Sequence, residues 1–339
     1  MLTLSNFKHL FPTLLAMILL SNHAKPQHQS IFDLINYQEA IKINLSFNLS
    51  SLQENRRDSN DYPGLLQFID QTGQQQSWQV DMSLRGRFRR QRCQEVPPLT
   101  IDFSKKELTK AGLAPFDDLK LVTYCMDKDQ AAREALIREY ITYKLYNQLT
   151  EMSFRVQLVK MTIKDTQSGK KITQLAFLIE DTAQLRDRIG ATKMKDFRVR
   201  NKIQFQPYAL RMTSLFQYMI GNQDWGLTIS KNVKYLRRAD QVIVVPYDFD
   251  FSVLVGASYA MPPPESIEKP LAHGRAYLGF QEDPEELRVI FNEMLGKRKE
   301  LIQVIRKCRY LKATAKKEME AYLNFFFDHS TDLSFAKAL

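Results

Sequence analysis

The chain has only three cysteines in 339 residues, Cys93, Cys125 and Cys308, and no pair of them forms a CxxC. Its five histidines stand at 9, 23, 28, 273 and 329, three of them near the N-terminus. A zinc site of ordinary spacing is excluded, because zinc needs clustered nitrogen and sulfur ligands. An odd cysteine count allows at most one internal bridge. Cys93 and Cys125 flank strand-like runs and form the natural pair; three buried free thiols are the other reading. No internal repeat occurs at solenoid or propeller periods. Beyond the N-terminus no segment is apolar enough to cross a bilayer.

What is present is an ordinary globular composition, 44% apolar and 25% charged, enough chain for one large domain or two modest ones. Lys8 and His9 precede an apolar run from Leu10 to Leu20, followed by a polar stretch to Ala24. This has the layout of an export signal over residues 1–24, too short for a membrane span. Export to a periplasm, cell surface or exterior is the expected localisation. The formal charge is +10, with basic residues between Arg85 and Arg92, Lys193 and Lys202, and Lys297 and Lys317. In an exported chain this excess suits anionic substrates, phosphates or headgroups, and not nucleic acid.

Residues 25–181 read as a β-rich N-terminal lobe. Ile43 to Ser50 alternates, as do Val80, Met82 and Leu84 against Asp81, Ser83 and Arg85. Pro97 to Phe103 and Leu119 to Tyr124 are further strands. Gln130 to Thr150 is a helix, and Phe154 to Ile163 forms a hairpin with Leu175 to Ile179 across Ser168-Gly169-Lys170. Residues 182–339 read as a helical C-terminal lobe. Pro207 to Ile220 is a helix stopped by Gly221, and a hairpin occupies Asn232 to Val245. Two long amphipathic helices complete the chain. The whole describes a two-lobed α+β protein.

One stretch is not explained by folding. Gly221-Asn222-Gln223-Asp224-Trp225, then Asn232, then Pro246-Tyr247-Asp248-Phe249-Asp250 place three carboxylates and three carboxamides within about thirty residues, beside apolar runs where charge is costly without a partner. Trp225 is the core anchor of this stretch. Each polar group has a structural alternative, as a cap or turn residue for Asp224, Asp250 and Asn232. Arg138 has a helical partner in Glu134. Lys120 has a solvent-facing strand position, and Arg85 and Arg87 can act as edge-strand guards.

The order of these pieces resembles the CotH kinase-like family, the spore coat protein H homologues. The resemblance runs from about Ser83 to Arg275. It is carried by Ser83-Leu84-Arg85-Gly86-Arg87, by Lys120-Leu121-Val122 leading to Leu136-Ile137-Arg138-Glu139-Tyr140, by Phe177-Leu178-Ile179-Glu180-Asp181, and by the two acidic loops. It implies a two-lobed protein-kinase-like fold and transfer of phosphate from ATP to a protein hydroxyl with Mg²⁺, or Mn²⁺ in its place. On that resemblance Asp224 is the catalytic acid–base, and Asn232, Asp248 and Asp250 hold metal. Lys120, Arg85, Arg87, Arg138 and Glu180 contact the nucleotide; Arg275, by its place after the acidic loop, is a separate candidate for meeting substrate.

The chain departs from this pattern in two places. It has no Lys in Pro97-Pro98-Leu99-Thr100-Ile101-Asp102, where relatives carry one, and no GxGxxG loop. Lys120 or Lys105 would have to substitute, with Glu134 or Glu139 as partner. Two other readings compete: a catalytically inactive kinase-like binding module of an envelope or surface assembly, and a metal-dependent hydrolase using the same carboxylates.

Overall fold

The computed structural model describes residues 29–58, 60–86, 88–93, 95–124, 130–194, 198–199, 201–260 and 274–336. The expected export signal, Arg87 and Cys125 lie outside these. Ten α-helices and ten strands occur among the described residues.

Seven strands close into one barrel: β1 (Ala40–Phe47), β2 (Asp61–Ile69), β3 (Gln75–Leu84), β4 (Leu99–Phe103), β5 (Asp118–Thr123), β6 (Val156–Asp165) and β7 (Lys171–Ile179). The order around it is β1-β2-β3-β4-β5-β7-β6, and β6 returns to pair with β1. That closing pair is parallel, with Ile43 opposite Met161, while the others are antiparallel. Alternate side chains point inward, as the two-residue strand period requires. Ile43, Leu45, Leu66, Met82, Ile101, Leu121, Met161 and Leu178 fill the interior. Helix α1 (Ile31–Ile35) contributes Ile31, Phe32 and Ile35 to that core, and its start is fixed by a capping box between Ser30 and Asp33. Gly64 in β2 is required by close approach, since a Cβ there would stand 2.8 Å from both Phe47 Cβ and Ser46 O.

The outer faces of β6 and β7 are buried at one end, at Val156, Leu158, Leu175, Phe177 and Ile179, where α5 (Gln130–Leu149) lies across them. Tyr140 and Tyr143 of α5 pack on Phe177 of β7. The same apolar core continues without a break through α7 (Pro207–Ile220), α8 (Pro284–Gly296), α9 (Arg298–Lys307) and α10 (Ala313–His329). A second sheet of three strands, β8 (Thr192–Lys193), β9 (Val233–Arg238) and β10 (Gln241–Pro246), packs on α7.

This architecture corrects the expected fold. The β-rich half is a closed mixed barrel, and the protein is not a two-lobed kinase-like fold with a helical C-lobe. The physical reason is the parallel β1–β6 pairing, which removes the sheet edge that an open lobe would present. The expected pair of long C-terminal helices is also three helices, with a break at Gly296-Lys297. Cys93 is disulfide-bonded and Cys308 is a buried free thiol.

Candidate functional site

The two acidic loops meet at a cavity of about 130 Å³ beside the barrel. Helix α7 delivers the first loop. It ends at Gly221 in the left-handed region (φ 64°), where Tyr322 Oη and Val253 leave no room for a Cβ. The chain then turns back, and the fully buried Asn222 ties it. Its Nδ2 donates to Gln217 Oε1 (3.0 Å), and its Oδ1 accepts from the Asp224 N–H (2.9 Å). Trp225 is buried as a core anchor with Leu210, Val233 and Val244.

Asp224 is held from both sides. Lys231 Nζ donates to one carboxylate oxygen, and Asn232 Nδ2 donates to the other at 2.9 Å and to the Asp224 carbonyl at 2.6 Å. Asn232 sits in the left-handed region (φ 53°), which Asn tolerates better than most residues. That conformation places its side chain over Asp224 just before β9 begins.

Strand β10 delivers the second loop. Phe249 is its anchor, fully buried against Tyr143 (ring centroids 4.7 Å apart) and Phe216 (5.6 Å). Asp248 and Asp250 flank that anchor. Asp248 has φ 62°, a strained value for a residue with a Cβ. Its backbone N–H donates to Tyr143 Oη at 2.7 Å. Tyr143 and Glu139 are four residues apart on α5 and so share a face. Thus α5 supplies both the brace for Asp248 and a third carboxylate. One ligand oxygen from each of Glu139, Asp248 and Asp250 lies within 4.8 Å of the others.

These carboxylates are not equivalent. Glu139 and Asp250 are almost fully buried and share Arg89, whose Nη2 is 2.6 Å from Glu139 Oε2 and 2.9 Å from Asp250 Oδ2. Tyr259 Oη also donates to Asp250 (2.9 Å). Burial opposes the Arg89 charge, but Asp250 and Glu139 outweigh it and keep the guanidinium protonated. The half-buried Asp248 carboxylate accepts no hydrogen bond and forms no ion pair among the described residues. Burial, and then the charge of Asp250, push its pKa up to about 6. Burial likewise raises Glu139 well above the usual carboxylate range, although Arg89 pulls the other way. An unpartnered carboxylate beside two more is a place where a cation would relieve charge.

The opposite wall is basic. The Arg85 side chain lines the cavity and has no hydrogen-bond partner among the described residues. Lys120 and Lys234 lie within electrostatic reach of it. Burial depresses both ammonium groups, and Arg85 depresses them further, while Asp118 works the other way. Lys120 Nζ approaches Thr182 Oγ1 (3.4 Å) and Asp118 (3.7 Å). Acids on one side and the unpaired Arg85, with Lys120 and Lys234 near it, on the other suit a metal-bound anion such as a phosphate chain.

The structure therefore brings Asp224, Asn232, Asp248, Asp250 and Arg85 to one cavity, with Lys120 beside Arg85. It does not bring Arg138 or Glu180 there. Arg138 bonds Glu134 (2.8 Å) and Glu318 on α10. Glu180 is fully buried, with both oxygens taken by Arg155 and Arg188. Arg275 is likewise internal, stacked on Tyr322 (3.7 Å) and bonded to the carbonyls of Met219 and Tyr322. Arg89, Tyr143 and Lys234 are the residues that sequence reasoning missed. The basic run from Arg85 to Arg92 was the only signal for Arg89.

No protein-family model matches the chain, and no curated protein matches it. The resemblance to the CotH family rests on the quoted residues alone.

Proposed function

We propose that the protein is an exported phosphotransferase that moves a phosphoryl group from ATP to a protein hydroxyl at the Asp224–Asp248 cavity. The observation that carries this reading is the unpartnered Asp248 carboxylate, set between two further acids and an unpaired arginine. Its donor set is all hard oxygen, from carboxylates and the Asn232 carboxamide, which fits Mg²⁺ or Mn²⁺. When bound, the metal would neutralise phosphate charge, and ATP would supply the group transferred.

The chain's own residues do the rest. Asp248 would hold the cation, with Asp250, Glu139 and Asn232 at the same cavity. Arg85 and Lys120 balance the charge of the phosphates from the barrel side. Asp224 takes the proton of the acceptor hydroxyl, and Lys231 and Asn232 fix the direction in which its carboxylate points. The disulfide at Cys93 supports an oxidising compartment, in keeping with export. No helix among the described residues is long and apolar enough to cross a membrane.

One observation favours a second reading, the catalytically inactive binding module. Arg89 already satisfies Glu139 and Asp250, so the acids can be a self-neutralised structural cluster. Incubation of the protein with radiolabelled ATP, Mn²⁺ and a generic protein acceptor separates the two. Phosphotransfer predicts labelled acceptor, reduced about a hundred-fold or more in Asp224→Asn. No label with wild-type protein, or equal label with the variant, overturns the proposed reaction.

A further inference from the structure

A second cavity, about 430 Å³, opens on the other side of α5, where that helix meets α9, strand β6 and the segment before β1. Its size is that of a small-molecule site. Ile141 and Val304 give it apolar wall, and Tyr140, Lys144, Lys307 and Cys308 give it polar groups. It shares no lining residue with the acidic cavity.

Its polar groups divide by whether they already have partners. Glu39 is neutralised by Arg309, which donates its backbone N–H (2.7 Å) and its Nε (2.6 Å). The Gln157 amide is committed to the carbonyls of Gln38, Glu39 and Leu158. Lys144, Lys307 and the Tyr140 hydroxyl have no hydrogen-bond or ion-pair partner among the described residues. Tyr140 is 6% exposed, and Lys144 is half-buried. Neither the Lys144 ammonium nor the Tyr140 hydroxyl is sealed in the core, so both keep accessible surface at the cavity and can bond a ligand there. Burial lowers the Lys144 pKa, and the nearby Arg155 adds to the effect. This wall therefore offers uncompensated positive charge and a free hydroxyl donor next to apolar surface.

We propose that this cavity binds a small organic anion, a carboxylate with an apolar body, with its charge on Lys144 and Tyr140 and its body against Ile141 and Val304. Lys307 stands at the exposed end as a second cation that draws the anion in. The inference does not depend on the chemistry of the acidic cavity.

Calorimetric titration of the full chain with 3-phenylpropionate tests it, with the neutral 3-phenylpropionamide as comparison. The carboxylate is expected to bind, and the amide roughly ten-fold more weakly or worse. Lys144→Met should weaken the carboxylate by a similar factor, and Val304→Trp should abolish binding by filling the cavity. A cooperative melting transition confirms that each variant is folded. If one variant does not fold, the other and the amide comparison still decide. No binding of the carboxylate, equal binding of acid and amide, or wild-type affinity in a folded variant overturns the proposal.

Discussion

The backbone N–H of Asp248 donates to Tyr143 Oη at 2.7 Å, across 105 residues of sequence. This bond joins helix α5 to the end of strand β10. It holds Asp248 in a left-handed backbone conformation that a residue with a Cβ adopts at a cost. Tyr143→Phe keeps the ring packing on Phe177 and Phe249 and removes only the acceptor. The expected result is a stability loss of about 1–2 kcal/mol, with weaker Mn²⁺ binding as Asp248 relaxes. Chemical denaturation and metal titration read the two effects.

Asp248→Asn separates stability from function. The folded-state pKa of Asp248 is raised to about 6 by burial and Asp250. A carboxylate raised on folding binds more protons in the native state. Its effect on stability therefore becomes unfavourable as pH rises from the ordinary carboxylate value through about 6. At neutral pH the metal-free variant should be more stable than wild type, by on the order of 1–3 kcal/mol. An unchanged or lower melting temperature would mean that Asp248 carries no uncompensated charge.

The same shift sets the pH dependence of metal binding. A cation must displace protons held by Asp248 and Glu139, both of which titrate above the usual carboxylate range. Mn²⁺ affinity should rise between about pH 5 and pH 8, with proton release on binding. Calorimetry in buffers of different ionisation enthalpy measures that release. A flat profile through this range would contradict the assignment.

Arg89 serves as the internal counter-ion of Glu139 and Asp250. Arg89→Met leaves both carboxylates buried without it and should cost about 3–5 kcal/mol. Mn²⁺ should restore part of this, so the metal-induced rise in melting temperature should exceed that of wild type. An equal rise in both proteins would show that the metal does not contact this cluster.

Glu180 gives the complementary case. Both of its oxygens bind arginines, so Glu180→Gln should destabilise the protein by about 2–4 kcal/mol. It should leave nucleotide and metal affinity unchanged, as equilibrium titrations of the folded variant would show. A selective loss of nucleotide binding would return Glu180 to the site.

The local elements were legible where the side-chain pattern is regular. Gln130 to Thr150 and Pro207 to Ile220 declared helices by their apolar faces, and Gly221 marked the stop. Barrel closure was not legible. Pairing Ile43 with Met161 depends on a register between distant segments that no local period encodes. Strand β2 escaped notice because Pro63 and Gly64 interrupt it, although Gly64 is there to let β1 approach. In the site, Asp224, Asn232 and Asp248 stood out as polar groups at the ends of apolar runs. Arg89 was hidden in a basic run whose charges look alike in sequence, and only tertiary packing singles it out. Glu180 was assigned to the nucleotide only by the family resemblance of its hinge-like segment, and its partners Arg155 and Arg188 are supplied by the fold.

In the proposed function, Asp248 makes this cavity a cation site for a nucleotide. Calorimetric titration of Mn²⁺ into wild type and Asp248→Asn, each with and without ATP, tests it most directly. Mn²⁺ is expected to bind wild type, more tightly with ATP, and to lose that binding in the folded variant. Absence of binding to wild type, or the same affinity in both proteins, would contradict it.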